Sequence, residues 1–288
     1  MMTFSLGTGK VHSLAFSPTG DRLAVGIANR DVVLVGWPNT DSRLELTRRP
    51  RVEAAVKSIA FSPDGKELAG VYSQQDVAIW EIGHWAVPHK VWNEGARATE
   101  VIGVWYDTAR NSWVTCGRQR HATWLRWRLR ALSDHHPFAR FPDRTRVDRT
   151  WLLPNGDILT RVEDELMRWE APPIPQETAP PAMTLWQRIG ARVLGVSSPT
   201  RRTESELQRA AVYPLRLVRP TCAFWPDYRT VLTHAKDGFL TRIDVQTGEL
   251  LECWRFPMKV IYCLAVSPDG TVAAAGSNHG RVLVWDLT

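Results

Sequence analysis

The chain has 288 residues, 44% hydrophobic and 23% charged, with a net charge of +6, a balance that excludes disordered and fibrous classes. No apolar stretch approaches the roughly 20 residues that span a bilayer, and the opening MMTFSLGTGK lacks the basic and apolar regions of a signal peptide. The four cysteines, Cys116, Cys222, Cys253 and Cys263, show no CxxC spacing, which argues against a zinc site or disulfide framework and for reduced thiols in a cytoplasmic protein.

Taken in order, the chain repeats one pattern of three short apolar runs separated by turns. VHSLAFSPTG (11–20) leads through DRLAVGI to DVVLVGW, ending at Trp37. VKSIAFSPDG (56–65) leads through KELAGVY to DVAIW, ending at Trp80. A weaker copy runs VIGVWYDTAR (101–110), SWVTCGR and ATWLRW, ending at Trp127. VDRTWLLPNG (147–156), DILTRV and ELMRW end at Trp169. RPTCAFWPDY (219–228), RTVLTHAKDG and FLTRIDV carry Ile243 where a tryptophan is expected. The last copy, from Lys259 to Thr288, is the cleanest, with Pro268-Asp269-Gly270 and Asn278-His279-Gly280 between its runs and Trp285-Asp286 near its end. Proline presets φ and glycine accepts positive φ, so both gaps read as hairpin turns. Each run is apolar on both alternating sets, the pattern of strands covered on both faces.

The anchors recur at intervals of about 42–47 residues, the period of propeller blades, except for one interval of about 74. Plausible fourth strands follow at Arg43–Arg49, Lys90–Glu94, His136–Phe141 and Leu250–Phe256. The last unit has none, and the first residues MMTFSLGT precede the first unit unpaired; they are expected to supply the missing strand and close a ring. The long interval holds a proline-rich run, Ala171 to Ala182, and two helix-like pieces. Thr184–Leu194 places Leu185, Ile189 and Val193 on one stripe, and Thr203-x-x-Glu206 matches a capping box. This predicts six blades with an insertion, 171–210, between the third and fourth strands of blade four, whose fourth strand is Ala211–Val218. A seventh blade is the alternative, but about 30 extra residues are few for four strands, and proline cannot donate ladder hydrogen bonds.

With its SPDG turns and terminal tryptophans, the unit resembles a WD40 repeat. The resemblance implies an all-β, WD40-like propeller in which residues 1–288 form one domain. The pattern departs from the family's: its Gly-His dipeptide before the first strand is missing, and Trp80 and Trp169 are followed by Glu81 and Glu170. The family's buried Asp–His–Ser–Trp network therefore cannot form as usual, although Asp31, Asp76, Asp164 and Asp237 stand before third strands.

Such propellers act mostly as rigid interaction platforms, so the resemblance implies a scaffold or adaptor, here a monomer that binds another protein. The charge suggests which face. Between Gly117 and Thr150 nine arginines stand against three aspartates, a surplus equal to that of the whole chain. One ring face carries the loops between blades and those between second and third strands. It gathers Lys10, Arg51, Arg118, Arg120, Arg144, Arg146, Arg149, Lys236 and Lys259. The candidate partner-binding residues are Arg51, Arg118, Arg120, Arg144, Arg146, Arg149, Lys236 and Lys259, expected to be solvated and suited to an acidic partner. The alternative is a nucleic acid or other polyanion, suggested by ATWLRWRLRAL (122–132), where aromatic and arginine residues alternate. Catalysis finds no footing. Gly7-Thr8-Gly9-Lys10 lacks the earlier glycine and following helix of a phosphate loop, and His121, His135 and His136 lack partners at ligand spacing. The chain is therefore read as non-enzymatic, without a metal or cofactor.

Overall fold

The computed structural model describes residues 1–7, 9–28, 32–46, 54–73, 76–83, 88, 90–93, 100–108, 111–119, 122–128, 139–142, 147–153, 156–162, 165–170, 205–206, 209–214, 221–234, 239–255 and 260–287. These residues contain strands and no helix, arranged in six sheets that are antiparallel but for one short edge pair. Their innermost strands are Val11–Phe16, Val56–Phe61, Glu100–Asp107, Val147–Leu152, Cys222–Phe224 and Cys263–Val266, one per blade in ring order.

Alternation decides the packing. Val33 and Val35 of blade one join the cluster shared with blade six, whereas Val32 and Leu34 join the one shared with blade two. Six such clusters exist, each made from two consecutive blades. Hydrogen bonds stitch the innermost strands together from blade to blade. Ser13 Oγ donates to the Val56 carbonyl at 2.9 Å, and Val104 N donates to Ser58 Oγ at 3.3 Å. Thr221 Oγ1 donates to the Ile261 carbonyl at 3.4 Å, and Cys263 Sγ to that of Val11 at 3.4 Å.

The ring closes as expected. Met2–Ser5 pairs antiparallel with Arg281–Asp286, Met2 opposite Val284 and Ser5 opposite Arg281, as the fourth strand of blade six. Phe4 and Leu6 thereby enter the cluster between blades six and one. In blade four, Arg209–Pro214 pairs with Glu165–Trp169, so the fourth strand starts two residues before the expected Ala211. The helix expected behind the capping box at Thr203 is not formed. Ser205–Glu206 is instead a short strand, parallel to Ala139–Arg140 at the outer edge of blade three, where it supplies backbone partners to an edge otherwise left open. The Thr184–Leu194 piece lies outside the described residues.

The turns explain the SPDG signature. Ser62 Oγ donates to Asp64 Oδ1 at 2.6 Å and accepts Glu67 N at 2.9 Å, while Gly65 takes φ 69°. Ser267, Asp269 and Gly270 repeat the arrangement, with Val272 N on Ser267 Oγ at 2.9 Å. These hydroxyl bonds hold the carboxyls of Asp64 and Asp269 below the usual carboxylate range. Their small, solvent-screened contribution is present above that range and fades as pH falls through the depressed value. The tryptophans are core residues: Trp80 and Trp169 are fully buried, and Trp169 Nε1 donates to Thr160 Oγ1 at 2.7 Å. Thr160 thus satisfies a tryptophan that the usual four-residue network would otherwise hold.

Three predictions follow from this packing. Deleting Met1–Leu6 leaves Arg281–Asp286 as an open edge and removes Phe4 and Leu6 from the core; the truncated chain is expected to melt earlier and aggregate, as read by scanning fluorimetry and light scattering. At Gly276 an added Cβ would stand 2.5 Å from both Cys263 Sγ and Val11 Cγ1. Gly276→Ala is therefore expected to cost about 1–3 kcal/mol, measured by urea unfolding. Burial pushes the thiols of Cys222 and Cys263 up to about 11 and about 12, and that of Cys116 higher still, whereas Cys253 is exposed. Iodoacetamide at pH 8 should label Cys253 within minutes and the other three only on unfolding, as mapped by peptide mass spectrometry.

Candidate functional site

The six innermost strands surround a channel of about 750 Å³. Its two ends differ. At the end carrying the SPDG-type turns the wall is aromatic, with Trp151 edge-on to Phe224 at 5.1 Å and Phe224 stacked on Tyr228 at 6.3 Å. At the other end, where the innermost strands begin, the wall is cationic.

Backbone irregularity builds that cationic end. In blade one, Val11 faces Ile27 and Ser13 faces Gly26, so His12 has no opposite number. The same skip leaves out Lys57 between Val56 and Ser58, and Ile102 between Val101 and Gly103. In blade six, Tyr262 and Cys263 both fall opposite Gly276. An extra residue in one strand re-aims its side chain, and His12, Lys57, Ile102 and Tyr262 all line the channel.

Around this mouth the groups converge. Lys10 Nζ lies 5.2 Å from the centre of the Tyr262 ring, and the His12 ring lies 6.1 Å from it. Arg149, from blade four, donates to the Tyr262 carbonyl at 3.2 Å. Lys57 is exposed, while His12, Arg149 and Tyr262 are half-buried. Burial, then the positive charges of Lys57, Lys10 and Arg149, lower the His12 pKa from its ordinary value, so the free imidazole favours its neutral form. Of the described carboxylates Glu100 alone lines the channel, and Arg118 holds it in an ion pair.

The expected basic face is thus partly displaced. Arg118 pairs with Glu100 of the channel wall. Arg149 sits in the innermost strand Val147–Leu152 and faces the channel, not in a solvated loop before it. Arg51, Arg120, Arg144, Arg146, Lys236 and Lys259 lie outside the described residues, as do the histidines 121, 135 and 136 and the side chains of strand Ala122–Arg128. His12, Lys57 and Tyr262 are additions. Their signal was the polar or aromatic residue after an apolar one at each inner-strand start, as in Val11-His12-Ser13 and Val56-Lys57-Ser58. Among the described residues no group of three His, Cys, Asp or Glu side chains is placed to hold a metal, and no helix is long and apolar enough to cross a membrane.

Comparison with known proteins agrees with this architecture. The model of the WD domain, G-beta repeat, matches residues 252–286. Over 63 residues, 22% of this chain, it is 33% identical to a serine-threonine kinase receptor-associated protein of Gallus gallus. Over 67 residues, 23% of this chain, it is 37% identical to the WD repeat-containing protein SL1-17 of Schistosoma mansoni. These alignments span 18% and 22% of the two relatives. The β-propeller domain of Cps50 (Swd1) from Myceliophteria thermophila superimposes with a TM-score of 0.66, covering 99% of this chain and 98% of that one at 13% identity. The chain thus carries a WD repeat at residues 252–286 and shares the β-propeller fold, here six blades closed through the first strand.

Proposed function

We propose that this propeller is a non-enzymatic platform for another protein, and that its working surface is the ring face where the innermost strands begin. The observation that carries the reading is the convergence of Lys10, Lys57 and Arg149 around His12, which favours a partner presenting acidic residues. A closed ring is stiff, so groups at its mouth keep their geometry while outer loops vary. The Gallus gallus relative is by name receptor-associated, and propellers of this family generally bind proteins. The arginine surplus between Gly117 and Thr150 adds positive potential that speeds encounter with an acidic partner.

Affinity capture with the full chain, followed by mass spectrometry, identifies partners. The affinity of the recovered partner is then measured in about 50 mM and about 200 mM salt, where screening of exposed charge differs most usefully. The expected result is a several-fold weakening at the higher salt and about tenfold weakening by Arg144→Glu with Arg146→Glu. Salt-independent affinity overturns the acidic partner, and recovery that nuclease treatment abolishes moves the function to nucleic acid.

A further inference from the structure

The cationic mouth is built at a cost to the fold. Lys57 and His12 are aimed into it by separate interruptions of two ladders. Arg149 reaches it from blade four, and Lys10 from the turn before blade one, where it lies against Tyr262. In blade four's ladder Arg149 stands directly opposite Arg161, itself buried at 7% exposure, and like charges directly opposite destabilise a strand pair. The described carboxylate of the channel, Glu100, is already engaged by Arg118. A cluster of positive groups at a channel mouth is complementary to an anion that brings its own charge.

We propose that Lys10, His12, Lys57, Arg149 and Tyr262 form a docking site for one acidic side chain of a partner protein, and that His12 takes up a proton from solvent as that side chain seats. The site rests on the platform reading above and names where on the platform the partner's charge is received. Lys10 and Lys57 supply compact positive charge from blades one and two. Arg149 is held in place by its bond to the Tyr262 carbonyl, which leaves further guanidinium donors to meet a carboxylate. Tyr262 forms the floor against which Lys10 and His12 rest.

The sign of the proton linkage follows from what faces His12. From its own blade comes Lys10, from blade two Lys57, and from blade four Arg149. From blade six comes the Tyr262 ring. Elsewhere on the channel wall stand Glu100 of blade three, paired with Arg118, and Cys222 of blade five, whose buried thiol stays protonated. In the free protein burial and these cations therefore favour neutral imidazole. A seated carboxylate reverses the balance and raises the His12 pKa. Binding then consumes a proton, and affinity rises as pH falls toward the imidazole range.

The test uses the full chain and a fluorescein-labelled octaglutamate peptide, with octaglutamine as the neutral control, read by fluorescence anisotropy. Octaglutamate is expected to bind at least about tenfold more tightly than octaglutamine, and Lys57→Gln and Arg149→Gln to weaken it about tenfold each. Lys66→Gln, on the turn at the opposite end of blade two, should leave it unchanged. Between pH 8 and pH 6, where glutamates remain ionised, affinity should rise about three- to tenfold in the parent chain and stay flat in His12→Asn. Lys57 is exposed, so its variant remains informative even where Arg149→Gln unfolds; melting temperatures are recorded for each.

Equal effects of Lys57→Gln and Lys66→Gln overturn the site, and a pH slope unchanged in His12→Asn overturns the proton uptake. A captured protein partner that binds Lys57→Gln as well as the parent, yet weakens with salt, overturns the site while leaving the acidic-partner platform standing. Octaglutamate no tighter than octaglutamine, together with a salt-independent partner, removes both.

Discussion

Two-faced burial of every blade is the constraint on which the rest of this structure depends. The strand Arg281–Asp286 sends Val282 and Val284 into the cluster with blade one, and Leu283 and Trp285 into the cluster with blade five. Ala273 and Ala275 go one way and Ala274 the other. A register slip of one residue would exchange the two sets and mismatch both interfaces at once. That is why small residues matter here: Gly26 leaves room for Ser13 and Val56, at 2.3 and 2.8 Å from where its Cβ would stand. The innermost strands approach closely enough for side chains to hydrogen-bond the next blade's backbone.

Such packing needs a last partner for the sixth blade. The first strand supplies it, joining residues separated by nearly the whole chain. Closure also fixes what remains for chemistry. With both faces of each sheet occupied, side chains free to meet a ligand come from the loops and the inner rim. The ladder interruptions at His12, Lys57 and Ile102 exploit that rim. They occur near the starts of the strands, so His12, Lys57 and Arg149 collect at one mouth, and Trp151, Phe224 and Tyr228 at the other.

Much of this was legible in the sequence, and the reasons differ from feature to feature. Doubly apolar runs between Ser-Pro-Asp-Gly turns prescribe strands and their spacing, and the unpaired start and missing last strand prescribe closure. Short local signals did less well. Thr203-x-x-Glu206 satisfies the local rule for a helix start, yet Ser205–Glu206 pairs with Ala139–Arg140, because strand pairing across the chain outweighs capping preference. Arg149 looked solvated because it lies among charged residues rather than apolar ones. Alternation assumes an unbroken ladder, and the skip between Val147 and Arg149 shifts it. The same skip hid His12 and Lys57, whose role depends, beyond nearby Lys10, on neighbours about 45 to 250 residues away that no local window contains.

Position within the ring also changes what the charges are worth. A cation on an outer loop is surrounded by water and salt, and its field decays within a Debye length of about 8 Å. Half-buried Arg149 and exposed Lys57 instead line one cleft, with Lys10 against the Tyr262 ring, and a cleft lined by one sign of charge focuses field lines. Burial first, and then these cations, lower the His12 pKa from its ordinary value. The opposite end is lined by Trp151, Phe224 and Tyr228, and the Arg242 guanidinium lies 4.0 Å from the ring of Trp225, also of the channel wall. The propeller's rotational repetition is broken by a few side chains at the inner rim, so the two ends of the channel differ.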